Sequence, residues 1–155
     1  ATYFHDSAVS LFARIKPDEL SILHYTDAGV QLYGNAILAS SALIAEKPQL
    51  VAAFLRATNR AIVECIANPA AAIAAVRQRE PILDEKTELA RWAITTQYIA
   101  AADTKSHGLG DFSKRLLEQQ VDSVVQTFAL KTTPSADALF NSSMLPPKSV
   151  RMLKA

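Results

Sequence analysis

The chain has 155 residues, half of them hydrophobic and a fifth charged, with 16 basic and 15 acidic side chains giving a formal net charge of +1. That composition marks a globular rather than a disordered chain, and the absence of a basic run interleaved with aromatics argues against a nucleic-acid surface. The length suits one domain or part of one, a lone Cys65 rules out an intrachain disulfide, and every apolar run is too short or too charged to span a bilayer.

The chain opens at Ala1-Thr-Tyr-Phe4 with no initiator methionine and no basic segment ahead of an apolar one, the look of a processed chain or of a piece of a longer one. Asp6 to Ile15 reads as a short amphipathic helix, with Val9, Leu11, Phe12 and Ile15 on its apolar side and Asp6 at its N-cap. Lys16-Pro17-Asp18 is a turn. Leu20 to Tyr25 is a strand candidate, and Val30 to Ala39 a second extended segment, separated by Gly29 and interrupted by Gly34.

From Pro48 the pattern is helical. Proline suits the first position of a helix, and Val51, Phe54, Leu55, Thr58, Ile62, Cys65 and Ile66 then recur along one face. Asn68 caps a second helix over Pro69 to Arg79, which carries Ile73 and Val76 inward. Asp84 caps a third, with Leu89, Trp92, Ala93, Thr96 and Ile99 or Ala100 as its stripe. Thr104 to Asp111 reads as a glycine-bearing loop. Asp111 or Ser113 caps a fourth helix with Leu117, Val121, Val124 and Phe128 inward. Ser135 to Phe140 makes a short last helix, and the basic Lys148 to Lys154 reads as a tail that frays or extends past the domain.

The richest segment is Asp27-Ala-Gly-Val-Gln-Leu-Tyr-Gly-Asn35, which holds two of the four glycines. Glycine permits a backbone turn or the close approach of a ligand. Asp27, Tyr33 and Asn35 add an acceptor, an amphipathic ring and a two-way amide, a set suited to a small polar molecule; a hairpin or strand–turn–strand joint is the plain alternative. Asp27 also suits a turn in which its carboxylate bonds its own backbone. The three histidines, His5, His24 and His107, show no metal-ligand spacing, so no metal is expected, and no nucleotide loop or catalytic triad is formed. Two strands do not make an independent sheet, so the strands need partners.

The stretch Asp27 to Asn35 with Ala36-Ile-Leu-Ala39, then Lys47-Pro48, Phe54-Leu-Arg-Ala-Thr58 and Asn68-Pro-Ala-Ala-Ala72, resembles the later half of the nitrate/sulfonate/taurine-type substrate-binding proteins of bacterial ABC importers. Those proteins are related to the fungal thiamine-pyrimidine synthases. Gly108-Leu-Gly-Asp111 and Phe140 to Pro146 are similar to late segments of the same family, so the likeness runs from about Ala1 to Pro146. It implies the helix-rich C-terminal portion of an α/β type II periplasmic binding protein fold, with few strands and four to six helices. In that division 1–28 ends the second lobe, 29–39 is the interlobe crossover, 40–146 belongs to the first lobe and 147–155 is a basic tail. The N-terminal half of the same protein would supply the partner strands.

The resemblance also implies a function: a non-catalytic, exported or periplasmic solute binder, free or lipid-anchored, that needs no cofactor. It would close on a small organic metabolite in an interlobe cleft and dock on ABC permease subunits. Tyr33, Gly34 and Asn35, then Asp27 and His5, are the expected ligand contacts. The synthase branch carries a cysteine cluster at this crossover, which here has none, so an enzyme is not expected. A helical ligand-sensing or interaction module that dimerises is the alternative from another class.

Overall fold

A computed structural model describes residues 4–153. The chain divides into two units, one built from Ala1–Leu23 and Ala61–Ala101, the other from His24–Arg60 and Ala102–Ala155. The fold is helix-rich, as expected. Among the described residues four helices have eleven or more residues and two have six, within the expected four to six; three more are single four-residue turns.

The first unit opens with a π-helical turn, Phe4–Ala8, which runs into α1, Val9–Phe12. Asp6 therefore lies inside the turn instead of capping a helix, and its carboxylate meets Arg91 at 3.3 Å. The helix expected to Ile15 stops at Phe12, and Leu11 is left exposed. After α2, Ser41–Glu46, in the other unit, the long α3, Pro48–Ala67, delivers its last turns here. α4, Pro69–Arg79, packs on α5, Glu85–Ile99, and α1 lies against α5 as well.

Local chemistry explains these boundaries. Asn68 Oδ1 accepts from the Ala71 amide at 3.2 Å, and Asp84 Oδ1 accepts from the Thr87 amide at 2.8 Å and its hydroxyl at 2.7 Å. Each carboxamide or carboxylate satisfies an amide that has no partner within its helix. The Thr87 bonds, hydroxyl first, hold the Asp84 carboxyl below its ordinary value. Arg91 ties the start of the chain to α5, donating to Glu88 Oε1 at 2.6 Å and to Ser10 Oγ at 3.2 Å. Trp92, expected in the core, is half-buried, and its indole N–H donates to the Cys65 carbonyl at 3.1 Å. Ile73 and Ala8 are the buried apolar side chains among the described residues of this unit.

The second unit starts with a 3₁₀ turn, Tyr25–Ala28, closed by Gly29 at φ +80. Residues 30–39 follow without a turn or bend, then α2 and the first turns of α3. α6, Ala102–His107, leads through Gly108 to α7, Lys114–Thr127. α8, Ala136–Leu139, packs on α7, and α9, Lys148–Arg151, completes the described chain. Ser113 and Ser135 cap α7 and α8 through the Leu116 and Ala138 amides, so Ser113, not Asp111, is the cap. The buried apolar side chains among the described residues of this unit are Leu109, Val121 and Ala136, and the Phe112 and Phe140 rings meet at 4.4 Å between centres with their planes tilted by 60°.

Four expectations give way. Leu20 to Tyr25 and Val30 to Ala39 are not strands: no strand is present among the described residues. A lone extended segment has no ladder to join, and a strand needs one to form. The loop expected over Thr104 to Asp111 begins as α6, because its N–H ladder runs on to Gly108, whose amide bonds the Thr104 carbonyl at 2.8 Å. The expected fraying tail holds α9 instead, with Arg151 only 5% exposed. Phe54, on the apolar face of α3, and Phe128, expected inward, stand 57% and 70% exposed.

Candidate functional site

Asp27 sits in the 3₁₀ turn, its amide bonded to the His24 carbonyl at 3.0 Å and its side chain exposed. Gly29 takes the left-handed conformation that a side chain disfavours, and lets its own amide return to Thr26 and that of Val30 to Tyr25, each at 3.0 Å. The chain is thereby turned out of the coil and launched into the run that carries Tyr33, Gly34 and Asn35.

Tyr33 is fixed in place from two sides. Its hydroxyl donates to Asp103 Oδ2 and accepts from the Ser113 amide at 2.7 Å. One phenol thus joins the 30–39 segment, α6 and the first turn of α7. Asp103 is shared in turn: His107 Nδ1 stands 3.3 Å from Asp103 Oδ1 and 3.2 Å from its carbonyl. His107, expected in a solvated loop, therefore closes α6 against an acceptor one turn earlier.

Partial burial, then the hydrogen bond to Asp103, pushes the Tyr33 phenol from 10.0 up to about 12, while the Ser113 amide works in the opposite direction. Folding therefore favours the protonated phenol. Its contribution is whole below pH 10 and is lost as the pH rises through about 12. We expect the wild type to lose stability more steeply than Tyr33→Phe between pH 10 and pH 12, and one of the four tyrosines to ionise last in an absorbance titration. Four tyrosines ionising together near pH 10 would remove the assignment. At neutral pH, Tyr33→Phe should cost about 1 kcal/mol, the usual worth of one such bond.

Gly34 and Asn35 stand exposed beside this anchor. A Cβ built on Gly34 would meet nothing within 4 Å, so the backbone there is open to approach. His5 belongs to the other unit, where its ring meets Tyr98 edge-on at 6.3 Å. The second unit thus gathers Asp27, Tyr33, Gly34 and Asn35 along nine residues of chain, whereas Tyr33 has its hydroxyl already committed to the fold.

Sequence reasoning missed Asp103 and Arg151. Arg151 donates to the carbonyls of Pro146 at 2.8 Å, Leu109 at 2.9 Å and His107 at 3.3 Å, and to Asp111 Oδ2 at 3.0 Å. It clamps the Gly108–Asp111 bend that presents the Ser113 amide to Tyr33. The Asp103–His107 spacing of four on a helix was the one local signal; Arg151 offered none beyond its place in a basic run. In the same unit an open groove of about 630 Å³ runs between Ser41, Ile44, Asp137, Phe140 and Asn141, and none of the five expected contacts lines it. Among the described residues no three His, Cys, Asp or Glu side chains cluster as a metal site, and no helix is long and apolar enough to cross a membrane.

Residues 3–72 match the family described as NMT1/THI5 like. The match takes in all five expected contact residues and stops inside α4. No curated protein and no solved structure matches the chain.

Proposed function

We propose that this chain is part of the solute-binding component of an ABC importer, which closes on a small organic metabolite without changing it chemically. The match of residues 3–72 to the NMT1/THI5-like family supports the reading, because that family is generally one of substrate binders. The helix-rich, strand-poor architecture agrees with a portion of an α/β periplasmic-binding-protein fold. The finer attributes belong to the proposal: an exported location, docking on permease subunits, and a cleft shared with the N-terminal half of the same protein.

Within that reading, the exposed backbone at Gly34 and the carboxamide of Asn35 meet the ligand, with Asp27 and His5 contributing polar contacts. Tyr33 acts as their positioner, since its hydroxyl is held by Asp103 and Ser113. Residues 27–39 carry no cysteine, which weighs against synthase chemistry of the kind found in the enzymatic branch.

The test is a thermal-shift screen of the full gene product against pyrimidine and vitamin precursors, alkyl sulfonates and related small anions. A ligand at 100 times its Kd stabilises by about 2.7 kcal/mol, a shift of several degrees. Asn35→Ala should raise Kd at least about tenfold while leaving the unliganded Tm in place. A panel of this kind giving no shift at all would sink the importer reading.

A further inference from the structure

An asparagine carboxamide is thermolabile where the next backbone nitrogen can reach its carbon. The chain's asparagines are Asn35, Asn59, Asn68 and Asn141. Asn68 precedes Pro69, which has no N–H. Asn59 is 7% exposed within α3, where the following amide belongs to the helical ladder. Asn35 and Asn141 remain, both exposed and both followed by a small residue, Ala36 and Ser142.

Only Asn141 of these two is held in a defined geometry. Its Oδ1 accepts from the Ser143 amide at 3.0 Å and from the Ser143 hydroxyl at 2.6 Å. A side chain bonded to the amide two residues on folds back over the intervening peptide, which brings its carboxamide carbon beside the Ser142 nitrogen. The Ser142 carbonyl is held by the Leu145 amide at 3.0 Å, whereas among the described residues the Ser142 amide donates to no backbone carbonyl. The nitrogen is therefore uncommitted, and two donors already sit on the oxygen where negative charge would develop.

We infer that Asn141 is a self-modifying site, at which the Ser142 nitrogen displaces ammonia from the Asn141 carboxamide and Ser143 stabilises the oxyanion. Hydroxide removes the Ser142 amide proton, the bond from nitrogen to Cγ forms, and the Cγ–Nδ2 bond breaks. Nδ2 leaves as ammonia with a proton taken from water. A second water opens the resulting five-membered imide at either carbonyl, giving aspartate or isoaspartate. Asn141 lines the open groove that Asp137 also lines, so the product adds a carboxylate to that groove and lowers the formal net charge by one. Isoaspartate in addition lengthens the main chain next to Phe140, whose ring meets Phe112. None of this rests on the binding-protein reading.

Incubating the complete gene product in mildly alkaline buffer, with peptide mass spectrometry and ion exchange, tests it. An oxyanion donor in a closed site is worth about 10²–10³ in rate; water competes at this exposed one, so about tenfold is the expected scale. In the folded protein Asn141 should convert at least about tenfold faster than Asn35, and an acidic variant should accumulate in step. The gap should largely close in urea, where the Ser143 bonds are lost. Ser143→Ala, which removes the hydroxyl and keeps the amide, should slow Asn141 about fivefold or more and leave Asn35 unchanged. Ser142→Pro, without the attacking N–H, should abolish conversion at Asn141. Asn141 converting no faster than Asn35 in the folded protein overturns the site, as does conversion that survives Ser142→Pro. An advantage that persists in urea or in Ser143→Ala overturns the part given to the two donors.

Discussion

Replacing Arg151 with alanine should destabilise the second unit by about 3–5 kcal/mol, the range found when one partner of a buried ion pair is removed. The side chain is 6% exposed and donates to three backbone carbonyls and a carboxylate. Without it the carbonyls of Pro146, His107 and Leu109 lose a charged donor in a place water reaches poorly. Asp111, whose side chain is 25% exposed, recovers part of its hydration. For a domain of this size such a loss lowers Tm by well over 10 °C. Arg151→Lys should be nearly as damaging, because one ammonium cannot span the acceptors that a planar guanidinium reaches together. Urea unfolding of both variants checks this, and a midpoint near that of the wild type for Arg151→Ala would discard the clamp as a stabilising element.

Gly108→Ala should cost about 2–4 kcal/mol through the same structure. Gly108 holds φ +88, where any side chain is strained, and a Cβ there would lie 3.1 Å from Arg151 Nη1, 3.2 Å from Arg151 Cβ and 3.5 Å from its carbonyl oxygen. The Arg151 Cβ has little room to retreat, because its own residue's carbonyl accepts from the Leu109 amide at 2.9 Å. The two sites are in contact, so their effects should not add: the double variant should be less destabilised than the sum of the singles, because truncating Arg151 removes part of the clash. Gly34→Ala is the matched control. It has open space around it and no left-handed requirement, and should leave stability within about 0.5 kcal/mol. Equal losses at Gly34 and Gly108 would discard the left-handed backbone and the close approach to Arg151 as the cause.

What could be read from the chain divides along the range of the interactions. Asn68, Asp84, Ser113 and Ser135 are legible as caps because a cap acts on an amide three residues away. The helix bodies over Pro48–Ala67, Pro69–Arg79 and Glu85–Ile99 follow from the same short-range signals. Arg151 was illegible because its partners lie as far as 44 residues back, and its neighbours in sequence only suggest a solvated basic tail. Tyr33 could be picked as a candidate from its company of glycines, but not that Asp103 and Ser113 would hold it, 70 and 80 residues away. The two expected strands illustrate the opposite case. Their β-branched and aromatic content is real, yet a strand is a relation between segments, and among the described residues the second segment is not there.

The division into units has a consequence for the order of assembly during synthesis. The first unit has all its residues once Ala101 has been made, whereas the second is interrupted by Ala61–Ala101 and resumes only at Ala102. The bond between Tyr33 and Ser113 closes a loop of 80 residues, and the Arg151 clamp must wait for nearly the whole chain. Such long closures are entropically slow. Tyr33 is therefore made early and anchored late, and exposed Leu32 and Leu38 beside it are open to chaperones on the ribosome throughout that interval.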